Sequence, residues 1–156
     1  MRSFLLCALA LALAAPASAQ IARGDLEIAG AAGLSTRDGL TTLQLAPSAG
    51  YFLTPAVQAG LDLSYVRVSG NGQRSSGGTL GPFVAYHFNP PGARTVPFFG
   101  AQVGVTLTGE EQLSYGGFAG VKHFVSPGGA VSARAVVGSE DDELTFGTVL
   151  GVSVFF

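Results

Sequence analysis

Four ionisable side chains stand inside apolar or small-residue segments rather than in polar turns: Glu27, Asp62, Lys122 and Arg134. Two carboxylates and two cations can register packed elements as ion pairs, line a gated proton or ion path, or take part in acid–base catalysis. Their signs balance, which favours ion pairing that fills and registers an interior. Only two histidines are present, His87 and His123. Serine hydrolysis needs a serine within hydrogen-bond reach of a histidine that an acid orients. Ser126 follows His123 closely but precedes Pro127 in a turn, and no serine stands near His87 in sequence. No catalytic residue is assigned, and the chain is read as a non-enzyme. The acidic run Glu140-Asp141-Asp142-Glu143 could offer oxygens to a divalent cation, yet it lacks the spaced ligands of a binding loop and reads as a solvated charge run. No metal or other cofactor is expected. Arg67 and Arg74 could pair with lipid phosphates at an outer rim.

The elements that must position these groups emerge from the rest of the chain. Residues 1–19 read as a cleaved signal peptide: Met1-Arg2-Ser3 is a short positive start, Phe4 to Ala15 an apolar run, and Pro16-Ala17-Ser18-Ala19 a small-residue cleavage pattern. Cys7, the only cysteine, lies inside that run with most of the apolar residues after it, which excludes a lipid-modified cysteine. The expected mature domain, 20–156, therefore has neither disulfide nor thiolate metal site. Lys+Arg number 8 against Asp+Glu 10, which excludes a nucleic-acid footprint. Charged residues make up 12% and apolar residues 47%. A chain so poor in charge, with no mature apolar run of helical membrane length, must solvate its apolar side chains by alternation.

From Asp25 onward the sequence divides into eight segments of about ten residues, the spacing of membrane-spanning strands. They run near 25–35, 42–52, 57–68, 80–88, 96–107, 113–124, 130–138 and 144–156. Tight connections at 53–56, 89–95 and 125–129 alternate with polar or Gly-rich ones at 37–39, 69–78, 108–112 and 139–143. An even number of strands in an up-and-down meander can close on itself. The predicted fold is all-β, an eight-stranded antiparallel up-and-down transmembrane β-barrel.

Parity sorts the side chains. One face carries Leu, Val, Ile and aromatics without a charge in the span; the other carries all four mid-strand charges with Gly, Ala, Ser and Gln. On the apolar face Tyr51, Tyr86, Phe88, Phe99 and Phe156 gather at the tight-turn end, and Tyr65, Tyr115 and Phe146 at the other. Two aromatic belts on one face are the mark of the two interfaces of a bilayer, so that face is expected to meet lipid. His123 falls at a belt and His87 in the lumen. Glu27 and Lys122 should lie at similar heights near the tight-turn end, with Asp62 and Arg134 higher, as two ion pairs or one network. Pro47 and Pro82, mid-strand on the lipid face, predict bulges.

At the C-terminus Leu150, Val152, Val154 and Phe156 alternate and end on the aromatic ring. This resembles the terminal assembly signal of bacterial outer-membrane proteins. The segment Ser48-Ala49-Gly50-Tyr51-Phe52-Leu53-Thr54-Pro55, leading to Gln58-Ala59-Gly60-Leu61, resembles the first periplasmic hairpin of small barrels in the porin-like, opacity and attachment-protein families. The resemblance implies residence in the outer membrane among its lipid and lipopolysaccharide, and biogenesis through periplasmic chaperones and the barrel-assembly machinery. Two-domain members carry a peptidoglycan-binding domain after the barrel, which this sequence does not continue into. The run His123-Phe124-Val125-Ser126 is superficially similar to a lipid A deacylase pattern but lacks that family's His-x-Ser spacing. The expected role is a structural, porin-like, monomeric barrel with a plugged lumen that contributes to envelope integrity. A barrel that binds partners through its loops and a lipid A-modifying enzyme are the alternatives.

Overall fold

The computed structural model describes residues 21–37, 39–70, 72–108, 112–140 and 143–156; the expected signal peptide, Asp141 and Asp142 lie outside them. Eight strands follow one another: β1 (Leu26–Arg37), β2 (Leu40–Phe52), β3 (Val57–Gly70), β4 (Gln73–His87), β5 (Thr95–Thr106), β6 (Leu113–Ser126), β7 (Gly129–Glu140) and β8 (Glu143–Phe155). Each pairs antiparallel with its sequence neighbours, and β8 returns to β1, so the sheet closes as a barrel. The described residues contain no helix.

Closure follows from the alternation. Leu61, Val84, Phe99, Val105, Leu150 and Val152 are all exposed on the outer wall. Glu27, Gln58, Asp62, His87, Lys122 and Ser153 are buried inside it. An outer wall of bare aliphatic and aromatic side chains is stable only in an apolar solvent, which is the arrangement of a transmembrane barrel. The outer aromatics hold their two levels. Tyr86, Phe88 and Phe99 form one ring cluster near the tight turns, with centroids 5.1–5.9 Å apart. Tyr65, Tyr115 and Phe146 stand exposed toward the other end.

The connections at that other end are shorter than the sequence suggested. The stretch 69–78, expected as a loop, is instead the tip of a hairpin in which Gly70 pairs with Gln73 and Ser69 with Arg74. Strand β4 thus begins at Gln73 rather than Leu80. The reversal is made by Gly72, whose φ of 77° suits glycine, and a similar turn at Gly39 (φ 75°) links β1 to β2. Strands of 14 and 15 residues exceed the roughly 9–11 that a bilayer needs, so the β3–β4 tip projects beyond the upper belt.

The bulges expected at Pro47 and Pro82 do not occur. Pro47 stays in register opposite Gly30, and Pro82 opposite Leu61. On the other side of each proline the ladder skips without shifting. Between β2 and β3 it passes from Leu45↔Tyr65 to Ser48↔Asp62, and between β4 and β5 from Leu80↔Val105 to Phe83↔Gln102. An antiparallel residue directs its N–H to one neighbour only, so a proline interrupts a single ladder and leaves the other whole. The register irregularity that does occur lies between Phe124 and Ser126, at a tight turn.

Candidate functional site

The lumen is built in layers, each held by residues from several strands. At the tight-turn end Phe52, Val96, Phe124 and Ala130 pack with Ile21, which folds in from the segment before β1, and with Phe155. Asn89 Nδ2 donates to the Ile21 carbonyl (3.1 Å), and Ala22 N–H to Asp25 Oδ2 (2.8 Å), so the segment is fastened to the rim.

Directly above lies the first charge centre. Lys122 Nζ donates to Glu27 Oε2 at 2.5 Å, and Gln58 Nε2 donates to the same oxygen at 2.7 Å. The ring nitrogen Nε2 of His87 stands 3.1 Å from Lys122 Nζ. His87 is wedged between Phe52, which meets it edge-on at 5.1 Å, and Phe98, which stacks on it at 5.3 Å. The ammonium lies 5.1, 5.8 and 5.6 Å from the ring centroids of Phe98, Phe52 and Phe155. Aromatic faces compensate part of the hydration that a buried cation gives up. Sequence reasoning did not join Gln58 or His87 to this centre.

A second aromatic layer follows: Phe83, Ala85, Phe98 and Phe118, with Val136 against them. Parity alone could have placed these rings inside, because Phe118 shares its face with Lys122. Each ring stands across a ladder from a glycine: Phe83 from Gly60, Phe98 from Gly120, and Phe118 from Gly100. A Cβ on Gly60 would come within 2.7 Å of the Phe83 ring, and one on Gly120 within 2.9 Å of the Phe98 ring. Eight strands enclose a lumen just wide enough for side chains, so a large ring fits only where its partner has none.

Above this layer Arg134 Nη1 donates to Asp62 Oδ2 at 3.3 Å, with the guanidinium 5.2 Å from the Phe118 ring. The four charges form two separate pairs, with a cavity of about 50 Å³ between them beside Glu27, Lys122 and Arg134. Over Asp62 and Arg134 the lumen widens into a vestibule of about 410 Å³ that reaches the hairpin end. It is lined by Gln44, Ser64, Thr79, Gln102 and Ser114 among others.

The remaining candidate residues sit on the outer wall. His123 bonds to Thr95 Oγ1 (2.9 Å) across the β5–β6 ladder at the lower belt. His87 bonds to Lys122, so each histidine's ring partner is something other than a serine. Arg67 and Arg74 are exposed on the β3–β4 hairpin. Leu150, Val152, Val154 and Phe156 form an exposed stripe on and beside β8.

Comparison with known proteins yields the fold. No family model matches the chain, and no curated protein matches it by sequence. Among solved structures, a de novo designed transmembrane β-barrel superposes with a TM-score of 0.60 at 18% identity, over 88% of this chain and 99% of that one. The N-terminal β-barrel domain of Pseudomonas aeruginosa OprF gives 0.58 at 20%, over 86% and 98%. Neisserial surface protein A (NspA) gives 0.57 at 19%, over 85% and 96%. The chain has the closed eight-stranded architecture of small transmembrane β-barrels.

Proposed function

We propose that this chain is a structural β-barrel of a bacterial outer membrane, porin-like in form, whose filled lumen blocks sustained ion flow and whose role is envelope integrity. The observation that carries this is the stack of side chains across the lower lumen. The Phe52, Val96, Phe124 and Ile21 layer, the Lys122–Glu27 pair and the Phe83, Phe98 and Phe118 layer succeed one another along the axis. An ion would have to displace all three. The small-barrel fold shared with a Pseudomonas barrel domain and a Neisserial surface protein supports the location.

On this proposal the leader at 1–19 directs export, the Leu150, Val152, Val154 and Phe156 stripe is read by the assembly machinery after periplasmic chaperones deliver the chain, and the mature barrel is a monomer among lipid and lipopolysaccharide. The ionisable and histidine side chains serve packing rather than catalysis. Planar-bilayer recording on purified protein tests the blocked lumen: a quiet baseline is expected, and a large, sustained single-channel conductance overturns it. Fractionation of cells carrying the full-length chain tests the location, which fails should the protein appear in the soluble fraction.

A further inference from the structure

The β3–β4 hairpin carries two cations that nothing inside the barrel uses. In residues 57–87 the only carboxylate is Asp62, buried against Arg134, and the only arginines or lysines are Arg67 and Arg74. Both arginines are exposed, and neither forms an ion pair among the described residues. Val66 and Thr79 line the vestibule, so alternation turns Arg67 and Arg74 to the outer wall. The register sets Arg67 opposite Ser76 and Arg74 opposite Ser69. The two arginines are therefore diagonal neighbours about 7 Å apart at the strands, each beside a serine of the same face.

Height gives this face its chemistry. Tyr65 marks the upper aromatic level, Arg67 follows two residues later, and Ser69, the partner of Arg74, two later again. With a strand rise of about 3.3 Å per residue and a tilt near 40°, the arginines stand about 5 and 10 Å above that level. The headgroup layer extends about 5–8 Å beyond the hydrocarbon, within reach of both long side chains. Beneath them the same wall presents exposed Leu45, Leu61 and Leu80, a surface for acyl chains.

We propose that the outer face of the β3–β4 hairpin binds the phosphomonoester headgroup of an outer-leaflet glycolipid of the lipid A type, with its acyl chains on the wall below. This rests on the outer-membrane location proposed above, which sets a glycolipid at that end of the barrel. Charge selects the monoester. Two guanidiniums with no carboxylate on their own face of the hairpin match a phosphomonoester, which carries about −1.5 to −2 at neutral pH, better than a phosphodiester at about −1. The planar fork of arginine meets phosphate oxygens bidentately, and the hydroxyls of Ser69 and Ser76 can donate to oxygens left over.

Purified protein in non-ionic detergent is titrated with bisphosphorylated lipid A and with the same lipid stripped of its phosphates, and bound lipid is counted by native mass spectrometry. The phosphorylated form is expected to bind at least about tenfold more tightly. Arg67→Gln with Arg74→Gln should abolish that preference. Arg23→Gln with Arg94→Gln, which removes the same charge from exposed positions at the tight-turn end, should leave it intact. Ser69→Asp, which sets a carboxylate opposite Arg74, should weaken the preference with both arginines in place, and it serves should the double change fail to fold. A preference that survives the loss of Arg67 and Arg74, or that falls equally with Arg23 and Arg94, refutes the site. Phosphatidic acid or phosphatidylglycerol bound as tightly as lipid A refutes the glycolipid, and full competition by equimolar inorganic phosphate refutes a lipid ligand. Binding by purified protein does not depend on where the chain resides in the cell, whereas fractionation does, so the site and the outer-membrane location fail separately.

Discussion

Lys122 on β6 donates to Glu27 on β1 at 2.5 Å across the lumen, although 95 residues separate them and two strands stand between them in the wall. The pair acts as a strut between opposite parts of the cylinder. Removing one partner of a buried pair leaves an unmatched charge and costs about 3–5 kcal/mol, whereas replacing both is often neutral. Lys122→Met should therefore lower the unfolding free energy in lipid vesicles by about 3–5 kcal/mol, and Glu27→Gln with Lys122→Met should recover most of it. Urea titration of refolded protein reads both, and a double variant no better than the single one argues against the strut.

The ring–glycine pairs on neighbouring strands make a sharper expectation. Gly60→Leu should prevent closure or destabilise the barrel by at least about 1–3 kcal/mol, because overpacking forces either backbone or ring to move. Phe83→Ala should relieve Gly60→Leu only in part, because a side chain at position 60 would still meet the Ala49 carbonyl oxygen and the Gly50 backbone. Heat-modifiable migration on gels, a property of closed barrels, measures this.

Lipid as the solvent of the outer wall can be tested by depth. Leu61 lies between the aromatic levels, whereas Tyr65 stands at the upper one. Leu61→Arg is expected to cost about 2–4 kcal/mol and Tyr65→Arg about 0–1 kcal/mol from the bilayer term. Equal costs at the two sites, measured by reversible folding into vesicles, would remove the support for a membrane-spanning wall.

Pro82 withholds one donor from the β4–β5 ladder while β3–β4 remains continuous. Pro82→Val should add a hydrogen bond there and raise stability by about 0.5–1.5 kcal/mol. Amide exchange on Val103, which stands opposite Pro82 in the skipped register and whose N–H faces β4 as that of Leu107 does, should slow at the same time.

The strand count and the two faces were legible because alternation is a local property. Glu27, Asp62, Lys122 and Arg134 share a parity that no rearrangement of loops could change, and Tyr51, Tyr86, Phe88 and Phe99 repeat the opposite one. The hairpin at 69–78 was hidden, since Ser, Gly and Arg residues suit a solvated strand tip as well as a loop. Phe83, Phe98 and Phe118 have the parity of the lumen yet the chemistry of the outer wall. Their places become intelligible only beside Gly60, Gly120 and Gly100, which lie on neighbouring strands and far away in sequence.

Alternation along the chain thus determined which side chains look inward, because each residue's direction depends only on its own strand. The tertiary structure decided which inward side chains meet. Strand stagger and tilt set the height of every residue against residues on non-adjacent strands, and height is what joins Lys122 to Glu27 and His87 while keeping Arg134 with Asp62. Closure likewise decided how far the β1–β8 ladder runs, which is up to Ala32 and Leu150.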